Sequence, residues 1–257
     1  MTRTARLLLF ALSCLVLAPA TLALAWHMPA FGAHPLPYGE AINAVATAER
    51  HVTNMVSAVN FDYRGIDTLG EESMLLCAVT GVSVLLRGAR GESTRARPGR
   101  VHGQPLRPRS TAMTLIGRVA APVVLLFGVY VALHAMSTPG GGFQGGVIIA
   151  SGLLLAFLGD GYRTWRRIVP SHLMDAIEGG GALLFALSGL LGLLTGAAFL
   201  ANVLPFGEPG SVTSGGLMIP INLGVAGAVA GGFAVLFGEF LEETRVELSD
   251  RPAGGDT

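Results

Sequence analysis

Six apolar segments decide what this chain can become. A helix needs about 20 mainly apolar residues to cross a hydrocarbon core of roughly 30 Å, and six stretches approach that length: approximately Leu7 to Trp26, Asp67 to Leu86, Thr111 to Met136, Gly145 to Gly159, Ala176 to Ala201 and Gly216 to Phe240. With 51% hydrophobic residues and only 13% charged, the chain is too apolar for an ordinary soluble domain. The expectation is an all-α, polytopic integral membrane protein of about six transmembrane helices in two units.

Arginine placement predicts the topology, because short cytoplasmic loops retain basic residues and translocated loops lose them. Arg3 and Arg6 precede the first segment, eight arginines from Arg87 to Arg118 separate the second from the third, Arg163, Arg166 and Arg167 follow the fourth, and Arg245 and Arg251 follow the sixth. The opposite side holds only Arg50 and Arg64. Both termini and the arginine loop are therefore expected on the cytoplasmic side of a plasma membrane. The first segment has a second reading: a basic start, an apolar core and the "ALA" of Ala23 to Ala25 also describe a cleavable secretory signal, and the arginine pattern fits both.

All 17 basic residues are arginine, so a lysine proton relay is excluded. Cys14 and Cys77 lie in separate apolar runs and are read as free thiols. The histidines and cysteines show no metal-ligand spacing, and the zero net charge offers nothing to a nucleic acid. No cofactor is implied. The stretch "RGARGESTRARPGRVHGQPLRPRS", Arg87 to Ser110, is rich in arginine, glycine and proline without a helical period and reads as a tether. The expected organisation is a two-span unit over 1–88, a cytoplasmic linker over 89–110, a four-span unit over 111–242 and a tail over 243–257. In the segment before the second span, Ile42, Val45, Ala46, Val52, Val56 and Val59 recur at near-helical intervals, as in an amphipathic helix on the outer surface, with His51 solvated.

The purely apolar part of the second span, Ser73 to Leu86, covers only about 21 Å at 1.5 Å per residue. The missing length draws "DTLGEE" toward the hydrocarbon, so Asp67, Glu71 and Glu72 are candidates for an ion path. They equally suit a helix start in the headgroup layer, where carboxylates favour the positive end of the helix dipole. Asp62 and Arg64, two apart in "FDYRG", read as the anchor of a turn.

The phrase "HVTNMVSAVNFDYRGIDTLGEESML" resembles the C-terminal region of the A subunit of Mrp-type multisubunit Na+/H+ antiporters, and also the small E subunit of energy-converting membrane-bound hydrogenases, where a similar "VDFRGFDTLGE" leads into a membrane helix. The likeness covers roughly residues 40 to 88. It implies that Glu71 lies near a cation or proton route at an interface with partner subunits. This chain departs in Asn60, in Tyr63 for phenylalanine and in a second acid, Glu72.

Between the third and fourth spans, five of the eight residues from Pro139 to Gly146 are glycine, more than a turn requires. Close helix approach is one reason for such bare backbone, and a broken helix facing a buried cavity is another. A nucleotide loop is set aside, since no strand precedes the glycines and no "GK[ST]" follows. "STPGGGFQGGVIIASGLLLAFL" resembles the signature of the MnhB family, the B subunit of the same antiporters, over about Thr111 to Glu242. The resemblance implies that Pro139, Gly140, Gly141, Gly142, Phe143, Gln144, Gly145 and Gly146 pack among neighbouring subunits, and that His134, just before them, hydrogen-bonds the connector or accepts a proton; a structural histidine satisfied at the interface is the plainer reading of the same residue.

Asp160, Asp175, Glu178, Glu239 and Glu242 lie near span ends and read mostly as solvated charges, which leaves the second unit without an acid or base near mid-membrane. A complete transporter needs such groups. The two resemblances together imply a nonenzymatic subunit of a hetero-oligomeric monovalent cation/proton antiporter, with Na+ and H+ as transported ions and the other subunits and the lipid as partners. The alternatives are the equivalent subunit of a membrane-bound hydrogenase or related redox-driven pump, and a purely structural scaffold.

Overall fold

A computed structural model of the chain describes residues 3–28, 37–96 and 110–243. It is mostly helical, with no strand among these residues. The elements in order are α1 (Arg3–Trp26), α2 (Pro37–Arg50), α3 (Met55–Ala58), a π-turn (Val59–Tyr63), α4 (Gly65–Ala96), α5 (Thr111–Leu133), α6 (Gly142–Asp160), α7 (Tyr162–Ile168), α8 (Ser171–Leu194) and α9 (Met218–Glu243). Two compact units divide at Ala41 and Ile42.

The first unit is built on α1, which carries Pro19 inside it and ends with the His27 ring bonded to the Ala23 carbonyl at 2.7 Å. Five helices among the described residues are long and apolar enough to span a membrane: Gly65–Arg87, Thr111–Leu133, Gly142–Asp160, Ser171–Leu194 and Met218–Glu242. The remaining expected segment lies in α1, Arg3–Trp26, whose apolar part among the described residues is Phe10–Trp26.

In the second unit α9 is the central element, packed by α4, α6 and α8, with α5 closing against α6. Small residues set these contacts. A Cβ on Gly181 would lie 2.3 Å from the Gly224 carbonyl oxygen, and one on Gly117 would lie 2.6 Å from the Gly159 nitrogen, so the α8–α9 and α5–α6 pairs meet backbone to backbone. Two apolar clusters fill the bundle. One joins Ile42, Ala46, Val52 and Phe61 to Met136, Phe185, Leu217 and Val225; the other gathers Val79, Phe157, Trp165, Met174 and Val235. Residues of 42–79 thus share these clusters with α6, α8 and α9.

Three expectations change. The apolar positions of 42–59 do not form one surface helix: α2 stops at Arg50, His51 takes a positive φ of 57°, and Ile42, Ala46 and Val52 are buried in the protein core. The first residues of the expected linker, 89–96, continue α4, whereas 97–109 lie outside the described residues, as does the tail beyond Glu243. The fifth span runs Ser171–Leu194 rather than Ala176–Ala201, because the backbone turns at Gly196, φ 79°, and the Gly192 carbonyl accepts the Thr195 and Ala197 amides.

Candidate functional site

The glycine-rich stretch is the seat of a three-helix junction. Pro139 is exposed and Gly140 takes a φ of 137°, which lets the chain reverse after α5. From Gly142 the residues are helical and form the first turns of α6. A Cβ on Gly142 would meet the Asn222 carbonyl oxygen at 2.2 Å, one on Gly145 the Ala132 Cβ at 2.7 Å, and one on Gly146 the Ala226 carbonyl oxygen at 2.8 Å. The start of α6 is therefore wedged between α5 and α9, and close approach, not a broken helix, accounts for the missing side chains. Phe143 and Gln144 point outward and are exposed.

The segment after α2 clamps this junction. The Asn54 side chain caps α3 by accepting from the Val56 amide at 3.1 Å, while its Nδ2 donates toward the carbonyls of Ala135 and Thr138, both at 2.8 Å, and of Gly140 at 3.1 Å. Ser57 Oγ donates to the Ala135 carbonyl at 2.6 Å, and Asn222 Nδ2 to Ala132 at 2.8 Å. His134 ends α5: its ring bonds the Tyr130 carbonyl at 3.0 Å and stacks on the Tyr130 ring, and its own carbonyl accepts the Ser137 and Thr138 amides.

Asp62 pairs not with Arg64 but with Arg50, Nε to Oδ1 at 2.6 Å, and its second oxygen accepts from Asn202 at 2.8 Å. Asn202 also donates to the Gly215 carbonyl, so this ion pair ties the π-turn to the loop before α9. Arg50 lies over the rings of Tyr63 and Phe206, and the His51 ring bonds the Gly207 carbonyl rather than standing free in solvent. Burial, with the Glu49 carboxylate accepting its hydroxyl at 2.8 Å, pushes Tyr63 up to about 12. A groove of about 630 Å³ opens here, lined by Arg50, Asp62, Tyr63, Arg64, Phe199 and Asn202 among others.

The three acids of "DTLGEE" separate. Asp67 is exposed and bound to Arg64 at 2.5 Å; Glu71 is exposed; Glu72 is buried. One residue is a 100° turn of the helix, and the inward face of α4 carries Gly65, Thr68, Glu72, Val79 and Ser83 at spacings of three, four and their sum. Glu178, expected among solvated charges, is buried on the inward face of α8 with Met174, Gly181 and Phe185, about 10 Å inside that helix. Glu178 is thus an interior acid of the four-span unit, seven residues from the start of α8. Glu239 is also buried and accepts from Arg87 at 2.6 Å, while Arg87 reaches Asp175 at 3.5 Å, Arg118 binds Asp160 and Tyr162 donates to Glu242. No group of three His, Cys, Asp or Glu able to hold a metal occurs among the described residues.

Arg50, Asn54, Glu178, Asn202 and Asn222 escaped the sequence reading. Glu178 had a signal, its three- and four-residue spacing from Met174, Gly181 and Phe185; the partners of Arg50 and Asn202 lie far along the chain and left none.

Helices joined through glycine contacts, an apolar exterior and carboxylates held inside the bundle define a multi-pass membrane protein. The family described as a domain related to the MnhB subunit of Na+/H+ antiporter matches residues 112–235. The B-type Na+/H+ antiporter subunit of Alkalihalophilus pseudofirmus is 30% identical over 132 residues, which cover 49% of this chain and 88% of that protein. The chain belongs to the MnhB family. Its fold is similar to that of a chain of the membrane-bound sulfane sulfur reductase, an archaeal respiratory membrane complex, at a TM-score of 0.69 and 27% identity over 91% of this chain and 97% of that one. A chain of the Mrp complex from Dietzia sp. DQ12-45-1b shares the fold at a TM-score of 0.66 and 24% identity, over 98% of this chain and 27% of that longer one.

Proposed function

We propose that this chain is a nonenzymatic membrane subunit of a multisubunit monovalent cation/proton antiporter in a bacterial-type cell membrane, joining an A-subunit-like piece, 1–88, to a B-type unit, 111–242. Family membership carries this reading. Both termini and the arginine-rich segment face the cytoplasm, and the Pro139 end of the bundle faces outward. Glu71 and Asp67, on the outward face of α4, stand where a neighbouring subunit packs, and Glu71 contributes a carboxylate to the ion path at that interface. Asn54 of the A-like piece and the α6 glycines of the B-type unit hold the two together at the junction, and His134 serves it as a helix end.

Sodium-dependent proton movement in inverted vesicles carrying the whole complex tests the reading, with native chain and Glu71→Gln compared at matched assembly. Loss of exchange with intact assembly is expected; full exchange in the variant removes Glu71 from the path and leaves this chain a scaffold. A second reading, a subunit of a redox-linked respiratory complex, draws on the likeness over nearly the full length of both chains to one in the sulfane sulfur reductase. Proton movement that needs electron flow and ignores sodium would favour it.

A further inference from the structure

Every buried side-chain oxygen that lacks a hydrogen-bond partner among the described residues belongs to one of four residues: Glu72, with both oxygens, Ser83, Glu178 and Asn222. They are 3%, 6%, 6% and 3% exposed. They are not scattered. Helices α4 and α9 run parallel in one register, fixed at two points: Val79 and the Glu178 carboxylate both lie 3.2 Å from the position of a Cβ on Gly232, and two turns further on Arg87 binds Glu239. Two turns in the other direction the same register sets Glu72 level with Val225, one turn below Asn222, and it sets Ser83 one turn beyond Val79.

The four residues therefore form a file along the α4–α9 seam in the order Asn222, Glu72, Glu178, Ser83. The file covers about 20 Å at 1.5 Å per residue, roughly two-thirds of a hydrocarbon core. At one end Asn222 Oδ1 and Gln144 Oε1 both approach Gly141, and Gln144 is exposed. At the other the file reaches Arg87 and Asp175, whose side chains are half exposed.

An ionised carboxylate with no partner in such surroundings costs several kcal/mol, and helix packing gains nothing from it. Glycine at 232 keeps the space that the Glu178 carboxylate occupies. A metal cation gives up its water only where several oxygens replace it, and each station here offers one carboxyl among apolar neighbours. A proton needs a single oxygen.

We propose that Glu72 and Glu178 are the two stations of a proton route inside this chain, distinct from the Glu71 surface. A proton leaves the carboxylic acid of one and joins the carboxylate of the other across the two turns between them, carried by water, and it exchanges with bulk solvent past Gln144 at one end and Arg87 and Asp175 at the other. The charged groups facing the stations are Glu71 beside Glu72, Asp175 one turn from Glu178, and the Arg87–Glu239 pair.

The role in antiport rests on the function proposed above, but the route has its own readout. In the native whole complex, dicyclohexylcarbodiimide, which reacts with protonated carboxyls in apolar surroundings, is expected to label Glu72 and Glu178, as located by mass spectrometry. Glu72→Gln and Glu178→Gln are each expected to lower proton movement about a hundredfold, the lower end of what a positioned proton-transfer group contributes, and to leave thermal stability unchanged or raised. Unlabelled carboxyls overturn the proposal whether or not the complex exchanges sodium. Proton movement that persists within about twofold in both variants overturns it while leaving the antiporter reading intact.

Discussion

Adding one methyl group at Gly142 tests the packing argument at its tightest point. In Gly142→Ala the new Cβ would lie 2.2 Å from the Asn222 carbonyl oxygen and 2.9 Å from the Ala226 nitrogen, both backbone atoms of the central helix. No side-chain rotamer relieves such a contact, so α6 and α9 must part by about 0.8 Å to reach even 3.0 Å. That displacement loosens the Asn222 bond to Ala132 and the Asn54 clamp on the loop before α6. Overpacking of this kind costs about 1–3 kcal/mol, and the rigid partner places Gly142→Ala at or above about 3 kcal/mol. The control is Gly179→Ala on α8, where nothing lies within 4 Å of the added carbon and helix propensity gains up to about 1 kcal/mol. The assay heats the purified complex in detergent and follows the temperature at which this subunit is lost on size exclusion. A clear drop for Gly142→Ala beside no drop for Gly179→Ala is expected; equal stability of the two variants would refute the close-packed junction.

Three further outcomes are expected. Asn54→Ala removes the donor that holds the carbonyls of Ala135, Thr138 and Gly140, and should cost about 2 kcal/mol, as for a buried polar cluster left unsatisfied; faster hydrogen exchange at the Ser137 and Thr138 amides in the assembled complex checks it. Arg50→Gln leaves Asp62, 8% exposed, with Asn202 alone, and should cost about 1–3 kcal/mol in thermal melting, below the loss for a fully buried pair because 30% of the Arg50 side chain reaches solvent. Tyr63 holds its proton more tightly folded than unfolded, so its contribution to stability is complete below about 10, the ordinary phenol value, and is lost as pH rises toward about 12. Ultraviolet titration should show a phenolate step near 12 that Tyr63→Phe removes, and loss in that variant of a step near 10 instead would contradict the burial.

The apolar runs determined by themselves that this is a helical membrane protein, because span length and backbone satisfaction in lipid are local properties of a stretch of chain; the phrases "FDYRGIDTLGE" and "STPGGGFQGG" carried the antiporter-subunit kind by resemblance alone. Even the inward face of α4 is present in the sequence: the three- and four-residue spacing of Thr68, Glu72, Val79 and Ser83 separates Glu72 from Glu71, although the apolar content of the span alone does not. Only the tertiary structure decided the rest. Asp62 meets Arg50 twelve residues back rather than Arg64 beside it, and Asn202 comes to the same carboxylate from 140 residues away, because the π-turn and the loop before α9 fold onto one another. Spacing puts Glu178 on one face of α8 with Met174, Gly181 and Phe185, but whether that face is covered depends on where α4 and α9 pack against it. Side-chain periodicity fixes which residues share a face, and the partner brought to that face sets its dielectric and its counter-charges.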